Sequence, residues 1–449
     1  MRRLSRRSFA ALILAAVLLA GVCVFCVSYA VNAESWVVFP GNPHGYHGQD
    51  LSHGAVTDRS GEILMQMEDG RTYAESGELR RATVHLLGDR DGNIPAPAIR
   101  RYAARLIGYS PVFGLYGAED RSAVLEYTVS GKAQMAALTA LGQRSGTVFV
   151  YNYRTGEILC AVSTPTFDPD AGTPNETEGI YVNRAFGALY PPGSIFKVVT
   201  AAVLLEQDPQ AEQRIWRCDG TCELSGEQVT CQSAHGDVTL SEALARSCNC
   251  AFAQISQSLD RNEMKKAVDR WGVTAPCAFD GYTAPPGRFE LPEDSPCDAA
   301  WACIGQHTDL VNPCAFARFL GTIAGGGQAA EPYLVKSVGD YHGKTVQTSV
   351  TVRPETAAIL QEYLANNVKT VYGKEHFPDV TVCAKSGTAE VGEGQTPNAN
   401  FAGFVLDERY PLAFYVTVEN GGSGSTVCAP IAGAVLRACC GVLDGETGG

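Results

Sequence analysis

The chain has 449 residues, with 35 basic and 48 acidic side chains, a formal net charge of −13 and 45% hydrophobic residues. That length accommodates two or three domains with at least one large core. The acidic balance, without a basic patch or an aromatic–basic repeat, excludes nucleic acid as the partner.

Arg2, Arg3, Arg6 and Arg7 precede an apolar run from about Phe9 to Val31. At about 1.5 Å per residue a helix of this length crosses a bilayer. The arginines place its start in the cytoplasm and the remaining chain outside. Residues 1–33 are therefore read as a cytoplasmic tip and a single uncleaved anchor. A signal peptide cleaved near Val31-Asn32-Ala33 is the alternative, with an unusually long apolar region. Ser5-Arg6-Arg7-Ser8-Phe9 also has the form of a twin-arginine export signal. All these readings put the rest of the chain outside the cytoplasm.

Residues 34–131 read as a non-catalytic N-terminal module. His53 to Leu64 has the pattern of a strand, a turn at Ser60-Gly61 and a second strand. A helix begins at Pro97 and runs to Ile107, and Tyr109 to Asp120 is irregular. From Lys132 onward the pattern is a core domain, residues 132–449. It opens with a short helix, Gln134 to Leu141. Strands at Thr147–Asn152 and Glu157–Ser163 follow, joined through Arg154-Thr155-Gly156. Leu240 to Leu259 is helical but interrupted at Ser247-Cys248-Asn249. Helices follow at Asn312–Ala324 and Pro354–Asn366. Strands are expected at Val380–Ala384, Phe401–Leu406 and Leu412–Glu419, then a closing helix from Pro430 to Leu443. Paired strands at both ends with helices between them predict an α+β fold in which the terminal segments share one antiparallel sheet.

Sixteen cysteines stand in the chain. Most sit singly in apolar surroundings, where a buried free thiol is the expectation. The exception is Cys218-x3-Cys222-x8-Cys231-x3-His235. A Cys218–Cys231 disulfide is permitted outside the membrane, and the same four residues also offer a set of zinc ligands, although the spacing matches no common zinc module.

The chemistry gathers around Tyr190-Pro191-Pro192-Gly193-Ser194-Ile195-Phe196-Lys197. Two prolines and a glycine forbid helix up to Gly193, which leaves Ser194 to open one. The helix is apolar from Ile195 to Leu205 except for Lys197, one turn after Ser194 and on its face. A desolvated ammonium loses its proton readily, and a neutral lysine beside a hydroxyl is a general base. Read alone, the stretch equally describes a lysine that snorkels to solvent. Two further motifs follow in order, Ser247-Cys248-Asn249 and Lys385-Ser386-Gly387-Thr388. Each has a bland reading: Ser247 and Asn249 as helix caps, and Lys385 to Gly387 as an exposed strand end. Glu390 reads as structural, and Asn175-Glu176-Thr177 has the form of a glycosylation site.

Together, and in this order, the three motifs resemble those of the class B penicillin-binding proteins and related serine β-lactamases. Ser163 to Pro169, Asn183-Arg184-Ala185, His235-Gly236 and Ile304-Gly305-Gln306 resemble further family signposts, and no glycosyltransferase-like segment stands between anchor and core. Ser386 replaces the commoner threonine, and Asn400 stands where the family often has tryptophan. The resemblance implies a penicillin-binding-protein/β-lactamase-like fold, with a sheet flanked by helices and an all-helical part. It also implies D,D-transpeptidation of peptidoglycan stem peptides without metal or organic cofactor. Ser194 would be the nucleophile, Lys197 its base, Ser247 the proton relay and Asn249 the group orienting Lys197. Lys385, Ser386, Gly387 and Thr388 would bind the substrate carboxylate. Implied partners are D-alanyl-D-alanine stem peptides, β-lactams, the cytoplasmic membrane, a polytopic glycosyltransferase and other wall-synthesis proteins. A β-lactamase or β-lactam sensor, and an inactive scaffold, are the alternatives.

Overall fold

The computed structural model describes residues 2–48, 50–68, 70–172, 174 and 177–447. Asn175 and Glu176 of the glycosylation pattern, and the Arg2 and Arg3 side chains, lie outside the described residues. The N-terminal segment is one helix, Arg2–Val37, long and apolar enough to cross a membrane, with its apolar window wholly unburied.

The core is a five-stranded antiparallel sheet in the order Val382–Ala389, Asn398–Val405, Leu412–Val418, Gly146–Asn152, Ile158–Thr164. Strands from both ends of the domain pair in it, as expected from the sequence. Helices cover both faces, so its strands read as continuous apolar runs rather than alternating ones. Successive residues still part company: Val148 and Val150 enter one core with the helices Gly131–Leu141 and Ala429–Thr447. Phe149 and Tyr151 enter the other, beneath Pro313–Ala324. Each fully buried Val, Leu or Phe there contributes about 1.5–3 kcal/mol.

The N-terminal module is built on a six-stranded sheet, but residues 34–131 do not complete it. Its strands Gly54–Thr57, Ile63–Met67, Arg71–Tyr73 and Val124–Tyr127 are joined at one edge by Val335–Val338 and Tyr341–His342 from deep in the C-terminal part. The module is thus separate along the chain and shared in space. The helix expected from Pro97 to Ile107 is broken at Tyr102 into Pro97–Arg101 and Ala103–Leu106.

Ion pairs fix the module against the core. Arg80 holds Asp168, in the Ser163–Pro169 segment, at 2.6 Å. Arg59 reaches both Glu157 and Glu446. Arg184 pairs with Glu419 at 2.8 Å, and the Tyr190 hydroxyl donates to the same carboxylate at 3.0 Å. That carboxylate ties the start of the serine stretch to the end of the sheet strand Leu412–Val418.

Candidate active site

Pro191 and Pro192 stop regular structure, and Gly193 turns the chain with φ +56. Ser194 lies in a tight 3-10 turn, Gly193–Phe196, that runs directly into the helix Lys197–Gln207. A Cβ on Gly193 would stand 2.7 Å from the Thr388 carbonyl oxygen, and one on Gly387 would stand 2.7 Å from that of Pro192. Two glycines therefore let the edge strand Val382–Ala389 lie against the serine turn. The strand includes the whole Lys385–Thr388 motif, which the sequence placed just beyond it.

The interruption expected near Ser247 is a sharp turn between Leu240–Ala245 and Asn249–Ser258, with Ser247 itself left-handed at φ 54. Non-glycine residues in that conformation store strain of about 1–3 kcal/mol and persist only where surroundings impose it. Here the turn presents three oxygens to buried lysines. Lys197 Nζ donates to the Ser247 carbonyl at 2.7 Å and to Asn249 Oδ1 at 2.7 Å, and stands 3.2 Å from Ser247 Oγ. Lys385 Nζ lies 3.1 Å from the same hydroxyl and donates to the Ser386 carbonyl at 2.8 Å.

Both lysines are fully buried. No carboxylate pairs with either among the described residues. Desolvation lowers Lys197 to about 7, and burial followed by the charge of Lys197 pushes Lys385 well below the ordinary lysine value. A neutral Lys197 has two N–H donors, which the two carbonyl oxygens use, and one lone pair left for a hydroxyl proton. That is the equipment of a general base.

Ser194, Ser247, Asn249, Ser386 and Thr388 line one cleft of about 680 Å³. Glu390, read from sequence as structural, also faces this cleft. Three neighbours carry the arrangement. Tyr372, which no sequence pattern singled out, accepts the Ser386 N–H at 2.9 Å and meets its Oγ at 3.0 Å. Gln306 donates to the Thr388 carbonyl at 3.1 Å. Asn400, noted only as a departure, donates to the carbonyls of Pro191 and Pro192 at 2.9 and 3.1 Å, so it clamps the serine turn to the sheet.

All sixteen cysteines are free thiols, so the Cys218–Cys231 disulfide is not formed. The group whose ligand atoms converge is Cys218, Cys231, His235 and Cys248, with Cys248 where the sequence offered Cys222.

A serine heading a buried helix, with a desolvated lysine one turn on, defines a serine acyltransferase. The chain belongs to the class B penicillin-binding proteins: the penicillin binding protein transpeptidase domain matches residues 146–437. It is 28% identical to the peptidoglycan D,D-transpeptidase PbpA of Mycobacterium tuberculosis, covering 89% of this chain and 88% of that protein. The structure of penicillin-binding protein A from M. tuberculosis as a penicillin G acyl-enzyme complex superposes with a TM-score of 0.75 at 26% identity, over 86% of this chain and 99% of that one. The D,D-transpeptidase domain from Eggerthella lenta gives 0.75 at 25% identity, over 87% and 98%.

Proposed function

We propose that this protein crosslinks peptidoglycan stem peptides as a D,D-transpeptidase, through an acyl-enzyme on Ser194. The observation that carries the assignment is Lys197, fully buried, held by two carbonyl oxygens and lowered to about 7. Ser194 attacks the carbonyl of the penultimate D-alanine and Lys197 takes its proton. The new C–O bond forms as the oxyanion rests on the backbone N–H groups of Ser194 and Thr388. The C–N bond then breaks, and Ser247, between the two lysines, passes a proton to the departing D-alanine. Asn249 holds Lys197 in place. The terminal carboxylate sits against Lys385, Ser386 and Thr388, and a carboxylate there favours the charged form of Lys385. Gly387 lets this strand approach the serine. An amine of a second stem peptide displaces Ser194 and completes the crosslink.

Residues 1–33 anchor the chain, 34–131 form the module around the non-catalytic sheet, and 132–449 form the transpeptidase. The anchor runs with its arginines in the cytoplasm. Val112, Phe113 and Tyr116 are strongly exposed in a loop whose Tyr109 hydroxyl lies 3.1 Å from that of Tyr29 on the anchor. Exposed aromatic and apolar groups beside an anchor suit the membrane interface. A membrane-bound transpeptidase needs newly polymerised glycan, so a polytopic glycosyltransferase and other wall-synthesis proteins are its partners. The test supplies the full chain, a glycosyltransferase and lipid-linked precursor, and measures crosslinked muropeptides by mass spectrometry. Dimers that vanish in Ser194→Ala support the reading, and their absence from the wild-type reaction contradicts it.

A further inference from the structure

Cys277 and Cys314, free thiols in this structure, lie 37 residues apart in the chain and meet in the core, Sγ to Sγ at 3.1 Å. Both are buried, at 1% and 0% exposure. Non-bonded heavy atoms rest at about 3.5–4.0 Å. A thiol is a weak donor and a weak acceptor, so a hydrogen bond alone gives two sulfurs little reason to stand closer than that. A disulfide needs about 2.05 Å, and closing the bond from here asks for a movement of about 1 Å.

Each sulfur sits on a segment with a task. Cys314 is in the first turn of the helix Pro313–Ala324. Just before it, Asn312 donates to the carbonyls of Phe186 and Ala188, and Val311 pairs with Tyr190, so this helix start backs the entry to the serine turn. Cys277 opens the loop that carries Ala278–Phe279 and Tyr282–Thr283, a two-stranded ribbon of its own. A ribbon of that size is marginal alone. The same loop is a junction between the N-terminal module and the core. Asp280, left-handed at φ 46, accepts the Tyr102 hydroxyl at 2.8 Å through one oxygen. Its other oxygen accepts the N–H groups of Leu334 and Val335 at 2.7 and 2.9 Å. Phe279 and Tyr282 also pack edge-on against Phe186. A staple at Cys277 therefore holds this junction on the helix.

We propose that Cys277 and Cys314 form a structural disulfide in the exported protein, joining the loop that meets the N-terminal module to the helix behind the serine turn. The proposal rests on the extracytoplasmic placement of residues 34–449 under Proposed function, because disulfides form and persist there. The oxidant is itself a disulfide, carried outside the cytoplasm by a thiol oxidoreductase or a small molecule. One cysteine thiolate attacks it and releases one of its sulfurs; the second cysteine attacks the mixed disulfide and releases the other. One S–S bond forms in this chain, one is reduced to two thiols in the oxidant, and the two cysteine protons pass to those thiols. Both sulfurs are buried once the protein has folded, so the exchange precedes closure of the core around them. Linking residues 37 apart then restricts the unfolded chain and stabilises the folded one.

The test takes the full chain from cells quenched in acid, with free thiols blocked by N-ethylmaleimide in denaturant. Trypsin and an endoproteinase that cuts before aspartate release Trp271–Phe279 and Asp309–Arg318, each with a single cysteine. Mapped without reduction, these peptides should appear as one linked species, lighter by two hydrogens than their sum. External protease on spheroplasts should digest residues 34–449, and in that case maleimide on both cysteines, or either one joined to a different partner, overturns the disulfide. A catalytic region protected from the protease overturns the placement instead. Folding the purified chain in detergent with a glutathione redox buffer then decides the pair, and two free thiols there overturn it. The oxidised chain should melt about 5 °C above the reduced one, and the difference should vanish in Cys277→Ala. Equal melting of the two wild-type forms, or a difference that persists in Cys277→Ala, overturns the staple.

Discussion

Lys197 Nζ and Lys385 Nζ converge on a single oxygen, Ser247 Oγ, at 3.2 and 3.1 Å. Two ammonium groups on one buried hydroxyl repel each other, and no carboxylate accompanies them among the described residues. Lys197 therefore gives up its proton near neutral pH, and Lys385 awaits an anion from outside.

Replacing Lys197 by arginine keeps the charge and forbids the neutral form. Acylation by a β-lactam should fall about 10²–10⁴-fold. Fitting the larger head group into a fully buried site should destabilise the protein by about 1–3 kcal/mol. Stopped-flow labelling checks the first figure and thermal melting the second. Near-normal labelling removes Lys197 from the role of base.

The acylation rate should rise with pH through about 7 and level off above it, because the active form of Lys197 is the deprotonated one. A rate–pH profile checks the midpoint.

Gly387→Ala places a methyl 2.7 Å from the Pro192 carbonyl oxygen. The edge strand must withdraw from the serine turn, and displacement of that order costs about 10²-fold in rate. Labelling kinetics should show that loss with a melting temperature little changed.

His85 is buried and donates through Nε2 to the Ile180 carbonyl at 2.8 Å, which joins the N-terminal module to the loop before the serine stretch. Burial, with a smaller effect from Arg184, lowers it to about 4. The unfolded chain, with an ordinary histidine value of about 6.5, then binds more protons between about 4 and 6.5. Stability should therefore fall as pH drops through that window, by about 3 kcal/mol in total from this group. Denaturant titrations from pH 7 to 4.5 check it, and His85→Gln, which keeps the donor, should flatten that part of the slope.

The elements that the sequence made legible are those whose signal is local. Proline and glycine marked the serine turn, the apolar run marked the helix after Ser194, and polar residues marked the break at Ser247. Motif order then supplied the family. What escaped depends on contacts between distant segments. Val335–Val338 alternates like any short strand and does not announce that its partner is Val124–Tyr127 in the other module. Cys248 lies 17 residues beyond Cys231, hidden inside a motif read for its serine and asparagine. Tyr372 reaches Ser386 from a separate turn, Val368–Tyr372, and only packing could reveal it. Asn400 looked like a missing tryptophan because its clamp on Pro191 and Pro192 exists only once the sheet has formed.

The central claim is a long-lived acyl-enzyme on Ser194, and intact-protein mass spectrometry tests it most directly. A penicillin resembles the D-alanyl-D-alanine end of the stem peptide, so its ring amide acylates the same serine. The opened drug then stays in place and blocks the acceptor. Full-length protein incubated with penicillin should gain one drug mass, mapped to Ser194, persisting for many minutes and absent from Ser194→Ala. Rapid loss of the adduct with accumulating hydrolysed drug, or no adduct with any of several β-lactams on folded protein, would contradict the account.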